Sequence, residues 1–517
     1  MKRVVVIGAG FGGLTTAAEI ARQGLDVTVL EAHVYPGGSA GTFFHQGYLF
    51  DAGATLAGGF AEGAPMNMLG SRFDIDWQEK YVKEAMVVHL PDGEMVTRWT
   101  DDVRWREERT SVFGTDAEPF WNWQERTAEG LWDLAQRNPE WPPQSIRGAI
   151  NLLQTGYSWL SARRLDKREI NLTAYMPYMF LPVSSKMKNI PDLLRLYING
   201  QLLISAQDTS DKVNALYGAA ALDLPRRGVA NVPGGMGGMA KKLVERVVNY
   251  GGKVIFRKEV ISVSDFSDKK FLIRTKRGGE YISDAVVFNQ TPWNVAKLLE
   301  TQEYRKLNTL GELPRDNWGA FVVYAGIDSK GVPDNFPEHH QVIHSEPLGE
   351  GNSIFLSISP AWDNTRAPEG KRSITISTHT RLDTWWRLYR NSRPEYEDRK
   401  SRYIERILNV AEQAFPGIKS YAEMLLPGSP VTFERFTRRE KGWVGGFPQT
   451  SLFRTWGPKI APGIWMVGDS IFPGQSVPAV VLGGLRVADG LMGELAYRNQ
   501  KSWFYKQGKT GEIQCAG

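Results

Sequence analysis

Gly8, Gly10 and Gly13 stand in the spacing G-x-G-x-x-G within Gly8-Ala9-Gly10-Phe11-Gly12-Gly13. The chemistry this spacing serves is pyrophosphate binding. The first glycine permits a tight turn, the second lets the phosphates approach the backbone, and the third lets a helix lie close on a strand. Glu31, with Ala32 beside it, follows eighteen positions after Gly13. A carboxylate there accepts hydrogen bonds from ribose hydroxyls and disfavours a 2′-phosphate. These residues predict a dinucleotide site. Residues suited to covalent or metal chemistry are sparse. The single cysteine is Cys515, so no disulfide, zinc site or redox pair can form within the chain. The seven histidines are scattered, and the one adjacent pair, His339-His340, is expected on an exposed loop. Asp192, Glu169 and Asp208 are expected to be solvated acids. No catalytic base and no metal ligand stands out.

The elements that must position the glycine turn are legible around it. Val4-Val5-Val6-Ile7 is β-branched without alternation, the pattern of a strand buried on both faces. Residues 14–21 carry Ala17, Ala18 and Ala21, which suit a helix pressed on a sheet with its N-terminus facing phosphate. A second strand covers Val27-Thr28-Val29-Leu30. Far along the chain, residues 239–250 have helical spacing, Gly251-Gly252 caps that helix, and a strand begins at Lys253, followed by Val260. Ala285-Val286-Val287-Phe288 is another buried strand, ending in Asn289-Gln290-Thr291-Pro292. A last strand, Ile464 to Val467, leads into Gly468-Asp469-Ser470-Ile471-Phe472-Pro473-Gly474-Gln475, and a helix is expected from Val477-Pro478.

Pro36-Gly37-Gly38-Ser39 and Phe50-Asp51-Ala52-Gly53-Ala54-Thr55, coming soon after Glu31, make the N-terminal part resemble the FAD-binding family of amine oxidases, carotenoid desaturases and prenyl-protein escort proteins. The resemblance implies that Gly37, Gly38 and Ser39, with Ala54 and Thr55, run beside the pyrophosphate and ribityl chain. It also implies that the backbone of Val260 meets the adenine. Asp469, after Gly468, would accept a ribityl hydroxyl, and the helix start at Val477 and Pro478 would direct N–H groups at the pyrimidine end of the flavin. The ending Gly468 to Gln475 with Pro478-Ala479-Val480 narrows this to the bacterial carotenoid desaturase and isomerase family, nearest the 3′,4′-desaturases. Residues 199–207, 215–219 and Arg366-Ala367-Pro368-Glu369-Gly370 are similar to the same group.

The implied fold is α/β: a Rossmann-like FAD-binding domain of the glutathione reductase/amine oxidase type with a discontinuous α+β substrate domain. The first would take residues 1–83, 228–295 and 441–500, the second 84–227 and 296–440, with 501–517 as a C-terminal tail. The implied activity is desaturation of a carotenoid, with a quinone or oxygen as electron acceptor. The alternatives are a carotenoid cis-trans isomerase using reduced FAD and a non-catalytic lipid-binding escort protein.

Composition sets bounds on these expectations. With 42% hydrophobic and 23% charged residues over 517 positions, the chain is a folded protein of several domains. A net charge of +5 lacks the footprint of a nucleic-acid binder. The apolar run after Lys2-Arg3 is too short for a signal peptide, and no run reaches the roughly 20 residues of a spanning helix. A cytoplasmic protein in peripheral contact with a membrane surface is expected. Phe120, Trp121, Trp123, Trp132, Trp141, Tyr175, Tyr178 and Phe180 are expected to be mostly core, with an apolar tunnel as the functional alternative. Ile146, Ile150, Leu153, Tyr157 and Leu160 form a helical stripe near Arg147, Arg163, Arg164, Lys167 and Arg168. That stripe is expected to face the core, and the alternative is a helix docked on lipid.

Overall fold

The computed structural model describes residues 2–91, 93–137, 139, 141–143, 146–165, 176–299, 304, 307, 317–453 and 456–510; at 147, 159–165, 176, 268 and 497–510 it describes the backbone alone. Cys515, Glu169, Lys167, Arg168 and Tyr175 lie outside the described residues, as do the side chains of Arg147, Leu160, Arg163 and Arg164.

Two large sheets organise the chain. The first has six strands in the order Lys459–Ala461, Ile464–Met466, Ala285–Phe288, Arg3–Ile7, Asp26–Leu30 and Lys253–Ile255. All neighbours are parallel except the edge pair Lys459–Ala461 with Ile464–Met466. Val4, Val5 and Val6 are fully buried because both faces are covered: the helix Phe11–Arg22 packs on the sheet, and so do the small antiparallel strands Lys270–Thr275 and Gly279–Ser283. The helix Phe11–Arg22 follows the first strand directly. A Cβ on Gly13 would stand 2.5 Å from the Gly8 carbonyl oxygen, so only glycine lets helix and turn meet. The same helix packs along the C-terminal helix Val477–Thr510, where the Thr16 hydroxyl donates to the Gly484 carbonyl at 2.9 Å.

The second sheet has seven strands, in the order Ala422–Gly428, Trp318–Asp328, Lys371–Arg381, Ser353–Ile358, His339–Ile343, Glu84–His89 and Met95–Trp99. One face packs on the helices Leu382–Asn391 and Arg393–Ala411 through Phe321, Ile374, Ile376 and Trp385. The other receives the helix Asp192–Ala206, whose Gly200 carbonyl accepts from the Gln341 amide at 2.9 Å. His339 and His340 therefore do not sit on an exposed loop. Both are buried at the start of a strand, because both faces of that strand are covered. Burial pushes His339 down to about 4 and His340 down to about 3, so both are neutral at pH 7.

Two further expectations are resolved outside the sheets. Phe120, Trp121 and Trp132 are buried core residues, whereas Phe180 is exposed. The helix Ile146–Leu165 turns its stripe outward instead of to the core: Ile146, Leu153 and Tyr157 are 84%, 74% and 74% exposed. Its periodicity is real, but no neighbouring element covers that face among the described residues. Asp192 is exposed and Asp208 partly so, as expected of solvated acids. Among the described residues no helix is long and apolar enough to cross a membrane, and no cluster of residues could hold a metal ion.

Candidate functional site

The carboxyl ends of four neighbouring parallel strands carry Gly8, Glu31, Asn289 and Gly468-Asp469, forming the crevice where ligands bind open α/β sheets. Gly8 turns the chain at φ +101°, a region that favours glycine, and its N–H donates to the Leu30 carbonyl at 2.8 Å. Gly10 begins the helix Phe11–Arg22 without a side-chain cap, which leaves the first N–H groups to an incoming anion.

Pro36-Gly37-Gly38-Ser39 docks directly on this turn: the Gly37 N–H donates to the Ala9 carbonyl at 2.8 Å, and Gly10 and Gly37 form a parallel bridge. Gly53 packs on the Ser39 carbonyl, Ala54 is exposed, and the Thr55 hydroxyl lies 2.7 Å from that of Ser357 in the second sheet. The Glu31 carboxylate accepts from the Ala9 N–H at 2.7 Å and from the His33 N–H at 2.7 Å. Burial raises its pKa against the opposing pull of these N–H donors. The two oxygens together keep acceptor capacity for a ribose hydroxyl. Residues 255–258 return alongside, where Lys258 N–H donates to the Glu31 carbonyl at 2.8 Å, which sets the buried Val260 nearby at the head of the strand Val260–Phe266.

Asp469 is paired in a way its local sequence does not announce. Arg439 Nη1 lies 2.9 Å from Asp469 Oδ2, and Arg439 Nε donates to the Trp443 carbonyl at 2.7 Å. Gly445-Gly446, both at positive φ, pack against the turn that carries Asp469, where a Cβ on Gly446 would clash with the Asp469 carbonyl oxygen. The helix at Val477 starts from Ser476, a non-glycine residue at φ +84° whose hydroxyl accepts from the Ala479 N–H at 3.3 Å. Pro478 packs over Gly59. Asn289, Arg439, Gly445 and Gly446 were missed as site residues. The only local signal was Asn289 in a polar turn at a strand end. Its side chain sits against Gly10, Gly12, Gly13 and Gly468 together.

Beside this crevice is a cavity of about 580 Å³ with an almost wholly apolar lining. Its wall includes Trp132, Trp141, Tyr217 and Phe472, so the expected tunnel draws on two of the aromatics singled out in the sequence. Gln475, Ser476 and Ala479 close it on the crevice side, and Leu152, Leu153 and Tyr157 of the exposed helix also line it.

The residues present fit a flavin dinucleotide. The uncapped helix N-terminus is matched to a pyrophosphate, Glu31 keeps acceptor capacity, and buried amide atoms of Gln207, Gln290 and Gln475 lack partners among the described residues. Comparison with known proteins agrees. The family model of flavin containing amine oxidoreductases matches residues 11–492. A chloroplastic prolycopene isomerase 2 of an Oncidium hybrid cultivar is 27% identical over 96% of this chain and 84% of its own length. A neurosporene-forming phytoene desaturase of Rhodobacter capsulatus is 26% identical, covering 94% of this chain and 93% of its own length. Among solved structures, putrescine oxidase bound to putrescine superposes with a TM-score of 0.60 at 17% identity, over 95% of this chain and 99% of that one. The resemblance to the family of carotenoid desaturases and isomerases is thereby borne out.

Proposed function

The chain belongs to the family of flavin containing amine oxidoreductases and is an FAD-dependent oxidoreductase, and from that premise we propose that it desaturates a carotenoid, at the 3′,4′ position. The observation that carries this reading is the apolar cavity whose wall includes the turn after Asp469 and the start of the helix at Val477. Such a space suits a long hydrocarbon, and no carboxylate among the described residues lines it to pair with an amine. In this reading residues 1–83, 228–295 and 441–500 form the flavin unit, while 84–227 and 296–440 form the substrate unit.

Bound FAD supplies a hydride acceptor. The protein's own part is positioning. The cavity wall aligns the polyene and keeps water out, which turns binding energy into orientation. The helix N-terminus at Val477 stabilises negative charge at the adjoining end of the site. A quinone or oxygen takes the electrons onward.

Cis-trans isomerisation with reduced FAD is a second reading, favoured by the prolycopene isomerase relatives that align over 96% of the chain. Both readings share a membrane step. The outward apolar stripe of Ile146–Leu165 rests on lipid, and Leu153 and Tyr157, which also line the cavity, admit the carotenoid.

Expression in bacteria that make all-trans lycopene or its 1-hydroxy derivative, and separately in bacteria that make poly-cis carotenes, tests the reading. Desaturation red-shifts the pigment of the all-trans strain. A change confined to the cis pigments replaces it with isomerisation, and unchanged pigments in every strain defeat both.

A further inference from the structure

Two glutamines from distant parts of the chain meet at Gly445, and one of them, Gln475, lines the cavity. Oε1 and Nε2 of Gln475 are buried and have no hydrogen-bond partner among the described residues, and the same holds for Oε1 of Gln207. Gln207 ends the helix Asp192–Ala206 in a left-handed conformation, at φ +65°, and is 5% exposed. Gln475 precedes the helix Val477–Thr510 by two residues and lines the cavity. Their side chains converge on Gly445: a Cβ there would stand 2.5 Å from Gln207 Cδ and 2.5 Å from Gln475 Oε1. A side chain at residue 445 would therefore fill the space the two carboxamides occupy. The next residue, Gly446, packs on the Asp469 carbonyl.

Leaving a buried amide group unpaired is destabilising, so these atoms call for a partner in the working protein. An apolar occupant of the cavity offers neither donor nor acceptor. The isoalloxazine ring of a flavin offers both, in its ring carbonyls and nitrogens. Gln475 also lies on the cavity wall, in the turn between Asp469 and the helix start. We propose that Gln207 and Gln475 hydrogen-bond the polar edge of the isoalloxazine, holding the ring at the cavity mouth, with Gln207 accepting through Oε1 and the Gln475 N–H donor raising the reduction potential. The inference rests on the flavin cofactor and is independent of which substrate fills the cavity.

The test uses the full chain reconstituted with FAD. Gln207→Leu and Gln475→Leu each weaken FAD binding about fivefold, the equivalent of one ordinary hydrogen bond. Each also shifts the visible flavin spectrum, and Gln475→Leu moves the potential to more negative values. Gln475→Glu keeps the side chain's size and carries the test should a Leu variant fail to fold. Its negative charge moves the potential further down than Gln475→Leu does. Affinity, spectrum and potential equal to wild type in Gln475→Glu and in the folded Leu variants would overturn the proposal, even if turnover changes, because the carboxamides would then face the substrate and not the ring.

Discussion

Arg366 Nη2 lies 2.9 Å from Asp51 Oδ2, and both side chains are 7% exposed. The pair ties the hairpin that carries Asp51 to the loop ahead of the strand Lys371–Arg381. It also organises a third element: Asp51 Oδ1 accepts from the Met236 N–H at 3.1 Å and from the Thr42 hydroxyl, while the Thr42 hydroxyl oxygen accepts from the Gly237 N–H at 2.6 Å. One buried carboxylate thus holds the start of the helix Gly235–Asn249 against the hairpin and the Arg366 loop.

Removing one partner of such a pair leaves a buried charge without compensation. Arg366→Ala is expected to destabilise the protein by about 3–5 kcal/mol, read as a lowered denaturant midpoint for the unit containing Asp51. A loss below about 1 kcal/mol would show the pair to be solvated in solution.

Gly13→Ala is expected to abolish stable FAD binding, since its methyl group would stand 2.5 Å from the Gly8 carbonyl oxygen and force the phosphate-facing helix off the turn. Gly493→Ala is the control. It lies in the helix Val477–Thr510 with no atom within 4 Å of the new methyl, so it leaves FAD binding unchanged. Equal FAD affinity in the two variants contradicts the role given to the turn.

How these contacts relate to the sequence depends on chain separation. Gly8, Gly10, Gly13 and Glu31 act through spacing within one strand-turn-helix-strand unit, so local pattern suffices to find them. Arg366 and Arg439 act on Asp51 and Asp469 from 315 and 30 positions away, and nothing in the local sequence marks an arginine as the partner of a particular acid. Periodicity likewise reveals the stripe at Ile146, Ile150, Leu153 and Tyr157 but not which side of the helix remains uncovered. His339-His340 has polar letters and a buried position because the strand it begins is covered on both faces.

Acid should weaken the packing of the phosphate-facing helix through Glu19. Its side chain is 1% exposed and accepts from Arg22 Nη2 and Arg72 Nη2, each at 2.8 Å. Burial acts to raise its pKa, and the hydrogen bonds from Arg72, Arg22 and Gln23 outweigh it, bringing the value down to about 2. A folded value below the unfolded one stabilises the fold above pH ~4.5, and that contribution, about 3 kcal/mol, is lost as the pH falls to about 2. Urea unfolding from pH 6 to 2 should show the loss in wild type and a flatter profile in Glu19→Gln. Parallel profiles would remove Glu19 from the account.

Leu153→Glu places a charge on the exposed stripe without touching the flavin crevice. Binding to anionic lipid vesicles, followed by co-sedimentation, is expected to fall about tenfold, the value of one leucine withdrawn from an apolar phase. Undiminished binding would put the membrane contact elsewhere.

The central claim, that FAD bound at this crevice transforms a polyene held in the adjoining cavity, is tested most directly by mixing purified protein anaerobically with all-trans and poly-cis carotenoids in vesicles. The absorption of polyene and flavin is recorded together, with FAD oxidised, reduced or omitted. The account predicts that the polyene spectrum changes only when FAD is bound, and that a red shift of the all-trans pigment is accompanied by bleaching of the oxidised flavin. Polyene spectra that stay unchanged with both oxidised and reduced FAD bound would contradict it.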